Sequence, residues 1–282
     1  MRWPYYDHVF FDCDTTLSTI EGIDILAESA GKKEAIEQLT KAAMEGQLGL
    51  EDVYAKRLAA ITPTKAQIRH IRDAYKQNIV EDAAQVIAAL KYLGYKVYII
   101  SGGLYEPVAE FGVHLGVSRE NIRAVQIEYD QLSGRWWEPQ THQRGDSKYL
   151  SFDEGPLTIS DGKAQIVREL LGDQKGRALL IGDGSSDLRA SRAVDLFVGY
   201  GGVETRKPVL EKAPVFLHSF SLTPLLALVC SPAGLAPLEN SPYAALKQKS
   251  LNLIAQGALT FTDERISKKF NEAYQAVSTR AG

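Results

Sequence analysis

Asp12 and Asp14 flank Cys13 where an apolar run, HVFF, gives out. In extended chain, residues i and i+2 project to the same side, so the pair brings two carboxylates together at a strand end. Asp183 and Asp187 in GDGSSD close a second apolar run in the same way, with glycines that let backbone approach a ligand or metal closely. Four carboxylates at two strand ends repel one another unless a hard cation lies between them, and Mg²⁺ takes such oxygen ligands. Ser101-Gly102-Gly103 offers a hydroxyl and amides to an anion at a strand-to-helix turn. Lys163 follows Asp161-Gly162 in the first turn of an expected helix, where a cation opposes the helix dipole and so hints at a bound anion. Singly, each has an ordinary reading: a turn or cap pair for the aspartates, a common tight turn for the glycines, a solvated surface lysine for Lys163. Together they supply a nucleophilic carboxylate, a metal site, an anion cradle and a lysine, the set that phosphoryl transfer through an aspartyl phosphate needs.

The elements that must position these residues follow from periodicity and punctuation. Strands are expected at 8–14, 96–100, 122–129, 177–181 and 196–199, and helices at 82–93, 107–115 and 163–171. Strand–helix alternation implies an α/β, Rossmann-like open parallel sheet covered on both faces, with its ligand edge at the carboxyl ends of the strands. Residues 20–80 instead read as helices at 20–30, 33–45, 50–61 and 64–79, each stopped by Gly or Pro. The expected organisation is a core of residues 1–17 and 81–228, an all-helical cap over 18–80, and a helical C-terminal extension over 229–282. Residues 131–161 read as a turn-rich excursion with a hairpin near Ser133-Gly134. Trp136 and Trp137 there suit a core edge, an interface or no particular role. Pro232, Pro237 and Pro242 mark a linker before two helices. The second, over 263–278, carries Ile266, Phe270, Tyr274 and Val277 as a stripe that must bury itself on the core or on a second copy of the chain, which leaves a homodimer through these helices open.

Composition sets the outer bounds. The chain has 282 residues, 45% hydrophobic and 24% charged, enough for a sizeable core. A net charge of −3 provides no basic field for nucleic acid or an anionic membrane. The apolar run over 222–230 is far short of the roughly 18 residues a membrane span requires. No apolar segment precedes Asp7, and two cysteines, Cys13 and Cys230, make neither a disulfide framework nor a zinc site. The expectation is a cytoplasmic protein in a reducing compartment, with Cys13 packed as a small hydrophobe.

The order DCDTT (12–16), Ser101, Lys163 and GDGSSD (182–187) resembles the four motifs of the haloacid dehalogenase-like hydrolases. The segments GIDILAE (22–28), KAAMEGQLGLEDVYAKRL (41–58), the SGG turn and YGGVETRK (200–207) extend the likeness to the phosphoserine phosphatase branch. The resemblance implies a Mg²⁺-dependent phosphatase. Asp12 would be the nucleophile, and Asp14 the acid that protonates the leaving oxygen and then the base that activates water, a switch that requires a raised pKa. Asp12, Asp183 and the Asp14 carbonyl would hold Mg²⁺, with Asp187 beside them. Ser101, Gly102 and Lys163 would bind phosphate.

In the cap, Leu50, Val53, Tyr54, Arg57, Leu58 and Ile61 share helical spacing, so Arg57 lies on an apolar stripe. A guanidinium there needs an anion, or snorkels at the edge, or pairs with a cap carboxylate. The resemblance implies that Arg57 binds a substrate carboxylate and Glu21 an ammonium group, with Met44, Gly46 and Ser186 around the same pocket. Together these imply O-phosphoserine as substrate. Leu50 stands where relatives often have Phe, and Ser186 where they have Asn or Thr. Two other readings remain open from sequence: a phosphatase or phosphotransferase for another small phosphomonoester, and a non-catalytic phosphometabolite-binding protein.

Overall fold

Val9 and Phe11 face one side of the first strand and Phe10 the other, all fully buried, as in a strand covered on both faces. This strand, β1 (His8–Phe11), lies inside the sheet with a strand on either side. The computed structural model describes residues 3–44, 50–130, 132 and 147–278.

Four helices follow β1: α1 (Gly22–Ser29), α2 (Lys33–Met44), α3 (Leu50–Ile61) and α4 (Lys65–Gln77). Thr64 starts α4 with a capping box, its hydroxyl accepting from the Gln67 amide while its own amide donates to Gln67 Oε1. The chain enters and leaves this helical insert at one place. Val80 N donates to Leu17 O at 2.9 Å, and Thr19 N to Asn78 O at 2.8 Å. Alternation then sets in with α5 (Ala83–Tyr92), β2 (Lys96–Leu104), α6 (Tyr105–His114) and β3 (Ile122–Val125).

The strand expected over 122–129 is broken at Gln126. Beyond it, β4 (Ile127–Tyr129) leaves the main sheet and pairs antiparallel with β5 (Tyr149–Phe152). This ribbon leans on the helical insert: Lys65 N donates to Ser147 O, and Tyr149 N to Pro63 O. The Ser133-Gly134 turn, Trp136, Trp137 and Gly46 lie outside the described residues, as does the side chain of Met44 at the end of α2.

The core continues through α7 (Lys163–Leu171), β6 (Ala178–Gly182), α8 (Ser185–Ala190), β7 (Leu196–Tyr200), α9 (Lys207–Lys212) and β8 (Val215–Leu217). After α10 (Pro224–Cys230), buried throughout, come α11 (Ala244–Ala255), β9 (Leu259–Phe261) and α12 (Glu264–Ser278). Among the described residues the main sheet has the order β3-β2-β1-β6-β7-β8-β9, parallel except for β9, which runs antiparallel on β8. The register His8↔Lys96 and His8↔Ala178 aligns the carboxyl ends of β1, β2 and β6.

Two features depart from the sequence expectation. The proline-marked linker is a 3-10 turn, Ala233–Leu238, which buries Leu235 and Leu238. Their spacing of three puts both on one side of such a turn. The C-terminal segment is also more than two helices, since β9 extends the sheet. The α12 stripe buries itself within the chain, with Phe270 edge-on to Trp3 at 5.0 Å and against Phe261 at 5.5 Å.

Candidate active site

β1 and β6 deliver the acidic residues. Asp12 N still donates to Ile181 O at 3.0 Å, so Asp12 leaves the sheet as a continuation of the strand. Asp183 follows β6 directly. Asp187 sits in the first turn of α8, where its carboxylate accepts from Gly184 N at 3.1 Å. Carboxylate oxygens of Asp12, Asp183 and Asp187 all lie within 4.8 Å of one another, and all three residues are buried.

Lys163, the first residue of α7, reaches into this cluster. Its Nζ donates to Asp12 Oδ1 at 2.7 Å and Asp187 Oδ1 at 2.6 Å, and the residue is only 5% exposed. Burial works against its charge, but Asp12 and Asp187 more than offset this and raise its pKa. Burial and the charge of Asp187 push Asp12 well above the usual carboxylate range, with Lys163 opposing. Burial raises Asp187 as well, again against Lys163.

Thr15 lies in the turn that follows β1. It adopts φ 51°, a left-handed conformation that a β-branched residue seldom takes. Its hydroxyl lies 2.8 Å from the Asp14 carbonyl and 2.7 Å from Asp183 Oδ2. Thr16 Oγ1 donates to the other Asp183 oxygen at 3.1 Å.

Asp14 points away from the cluster. Its Oδ1 accepts from Tyr75 Oη at 2.7 Å and Gly22 N at 2.8 Å, and its Oδ2 from Ser101 Oγ at 3.2 Å. Burial raises its pKa, while these three donors and the Lys163 charge pull it back. A Cβ at Gly103 would meet Asp14 Oδ2 at 3.0 Å and Ser101 Oγ at 3.1 Å, so the second glycine of the SGG turn leaves room for that contact.

A cavity of about 290 Å³ opens between the carboxyl edge of the sheet and the helical insert. Asp12, Asp14, Glu21, Arg57, Gly102, Lys163, Asp183 and Ser186 all line it. Ser101 and Asp187 stand behind this lining, bonded to Asp14 and Lys163. Sequence reasoning missed Arg206, which follows β7. Its Nε donates to Asp183 Oδ2 at 2.8 Å and its Nη2 to Glu21 Oε1 at 2.9 Å and Glu204 Oε2 at 2.8 Å. The YGGVETRK segment contains this residue, but no spacing rule singles it out. Tyr75 was missed because it occupies a core position of α4. Burial raises Glu21, as does the charge of Asp14, with Arg206 opposing. Arg57 is lowered by burial, with Glu21 and Asp24 opposing.

The donor set fits a hard divalent cation: three buried carboxylates converge, and the cations beside them, Lys163 and Arg206, leave their charge incompletely balanced. The family model of the haloacid dehalogenase-like hydrolases matches residues 9–192. The chain belongs to that family. This hydrolase is 32% identical over 215 residues to a phosphoserine phosphatase of Drosophila melanogaster, covering 75% of this chain and 74% of that one. It is also 32% identical over 225 residues to a chloroplastic phosphoserine phosphatase of Arabidopsis thaliana, covering 77% and 70%. A solved structure described as a phospho-aspartyl intermediate analogue of phosphoserine phosphatase superposes with a TM-score of 0.66 at 22% identity, over 80% of this chain and 100% of that one, which shows the shared fold. The hydrolase is therefore a phosphoric monoester hydrolase of phosphoserine phosphatase-like type. No described helix is long and apolar enough to cross a membrane.

Proposed function

We propose that this hydrolase cleaves O-phosphoserine to serine and inorganic phosphate with Mg²⁺ as cofactor. One observation carries the reading: Glu21 and Arg57, an anion and a cation from the helical insert, line the same cavity as Asp12 and Lys163. Such a pair suits the ammonium and carboxylate of an amino acid whose phosphate lies at the sheet edge. The likeness to named phosphoserine phosphatases supports it.

Mg²⁺ would be held by Asp12, Asp183 and the Asp14 carbonyl, with Asp187 beside them, and when bound it supplies charge neutralisation at the transferred phosphoryl group. Lys163, Ser101 Oγ and the Gly102 amide bind the phosphoryl oxygens, and Ser186 borders them. Asp12 attacks phosphorus through a carboxylate oxygen as the bond from phosphorus to the serine oxygen breaks. Asp14 gives that oxygen its proton. Asp14 then takes a proton from water, which attacks phosphorus, and the bond to Asp12 breaks to release phosphate and restore the carboxylate. Burial favours the protonated form of Asp14 that the first step requires. In this reading residues 18–80 form the lid, residues 1–17 and 81–228 the catalytic core, and 229–282 an extension of it. The buried free thiols of Cys13 and Cys230 suit the cytoplasm.

Assay of the purified protein with Mg²⁺ against O-phosphoserine and a panel of sugar phosphates tests the reading. Phosphate release from phosphoserine that is lost in EDTA and restored by Mg²⁺ is expected. Turnover of sugar phosphates without turnover of phosphoserine would overturn the substrate.

A further inference from the structure

Tyr54 lies on α3 one turn before Arg57, so the two side chains share a face of the helix. Both line the cavity. The wall around them is largely apolar, with Leu58, Ile71, Leu104 and Leu157 offering nothing to a polar ligand group. The Tyr54 ring is held from the far side by Phe152 of β5, edge-on at 5.1 Å and 63°. Phe152 is itself fixed by the ribbon that bonds the turn between α3 and α4. The ring therefore has a defined seat, and its hydroxyl has no hydrogen-bond partner among the described residues. A phenol that lines the cavity and has no such partner can donate to water or to a bound ligand. Burial and the charge of Asp14 raise its pKa and keep it a donor.

We infer that Tyr54 is a specificity-determining residue whose hydroxyl donates a hydrogen bond to the substrate carboxylate that Arg57 binds. The inference rests on the phosphoserine reading above and adds a second donor to it. A carboxylate has two oxygens and accepts from two directions. Arg57 and Tyr54, three residues apart on one helix face, approach from two directions, and Glu21 remains for the ammonium group. The phosphate end is served by Lys163, Ser101 and Gly102 from the sheet.

Tyr54→Phe removes the hydroxyl and keeps the ring on Phe152. The informative substrate pair is O-phosphoserine and O-phosphoethanolamine, which differ only in the carboxylate. The ratio of kcat/KM for the first over the second is expected to fall about tenfold in the variant, through KM for phosphoserine, as loss of a hydrogen bond to a charged group predicts. The inhibition constant of serine should rise by a similar factor relative to that of ethanolamine, which reads the contact without turnover. An unchanged ratio, whether both substrates suffer equally or neither does, overturns the assignment while leaving the substrate reading intact. A wild-type enzyme with no preference for phosphoserine over phosphoethanolamine overturns the substrate reading and Tyr54 with it.

Discussion

Arg206 Nη2 lies 2.9 Å from the Glu21 carboxylate while the Nε of the same guanidinium holds Asp183 at 2.8 Å. One side chain thus ties an acid at the start of α1 to the acidic cluster at the end of β6. A guanidinium presents donors from separate atoms of a rigid fork, here Nε to Asp183 and Nη2 to Glu21, whereas a lysine has one nitrogen for both. Arg206→Lys should lower kcat/KM for phosphoserine about tenfold and Arg206→Met about a hundredfold, as loss of one and then of both contacts to Asp183 and Glu21 predicts. Steady-state kinetics of the two variants check this. Equal, small effects would mean that the fork has no part in aligning Glu21.

Lys163 shares its ammonium between Asp12 and Asp187, both buried. Lys163→Met leaves these carboxylates and Asp183 to repel one another in a desolvated site. Removing one partner of a buried ion pair costs about 3–5 kcal/mol, so the melting temperature should fall by about 10 °C and turnover at least about a hundredfold. A divalent cation then relieves more repulsion in the variant than in the parent. Thermal melts with Mg²⁺ and with EDTA should show the larger Mg²⁺-dependent rise for Lys163→Met. The same rise in both proteins would mean that lysine and cation do not act on the same carboxylates.

These residues differ in how they can be read from sequence. Asp12, Asp183 and Lys163 are legible because each stands at a strand end or helix start, positions that topology sends to one edge of a parallel sheet. Arg206 is not, because it sits in an irregular segment after β7 where no period fixes its direction. Tyr75 looks like any apolar position of an amphipathic helix, and only the fold brings its hydroxyl to Asp14. At the level of elements, β8 and β9 have three residues each, too few for alternation to register. The prolines after Ser231 suggest a linker from sequence because proline breaks regular hydrogen bonding. The turn that holds Pro237 is only six residues long, so the missing amide costs it one hydrogen bond while Leu235 and Leu238 stay buried.

Gly162 precedes Lys163 at the start of α7, and a Cβ built there would fall 1.6 Å from the Pro156 carbonyl oxygen. That neighbour is backbone and cannot swing aside. Gly162→Ala must therefore shift either the 156–158 turn or the start of α7, and the second choice moves the lysine on which Asp12 and Asp187 depend. The expected outcome is a loss of kcat of about tenfold or more with a lower melting temperature. Gly172→Ala, at the other end of α7, is the control: its φ of 48° makes it a strained position too, but it is remote from Lys163. It should destabilise by about 1 kcal/mol with kcat nearly unchanged. Equal kcat losses in both variants would mean that general loosening of α7, not displacement of Lys163, lowers turnover.

The C-terminal segment covers what would otherwise be a sheet edge. β9 pairs with β8 through Val215↔Phe261, Phe216↔Thr260 and Leu217↔Leu259, and all three β8 residues are buried. Phe270 of α12 packs on Trp3, whose Nε1 donates to Leu228 O of α10 at 2.8 Å. From α11, Lys249 Nζ reaches Asp82 Oδ2 at 2.5 Å and Glu81 Oε1 at 2.8 Å, directly beyond the point where the helical insert rejoins the sheet. Truncation after Ser231 would bare a parallel edge of Val, Phe and Leu together with one face of α10. An exposed apolar edge strand is a template for pairing with another chain. The truncated protein should elute as large oligomers or precipitate, with light scattering that grows with concentration, whereas Lys249→Met, which leaves β9 and α12 in position, should stay at the parent's oligomeric state and lose less than about 1 kcal/mol of stability. A well-behaved truncated protein with the parent's melting temperature would mean that β8 is protected by the core alone, and the C-terminal strand and helices would then need another explanation.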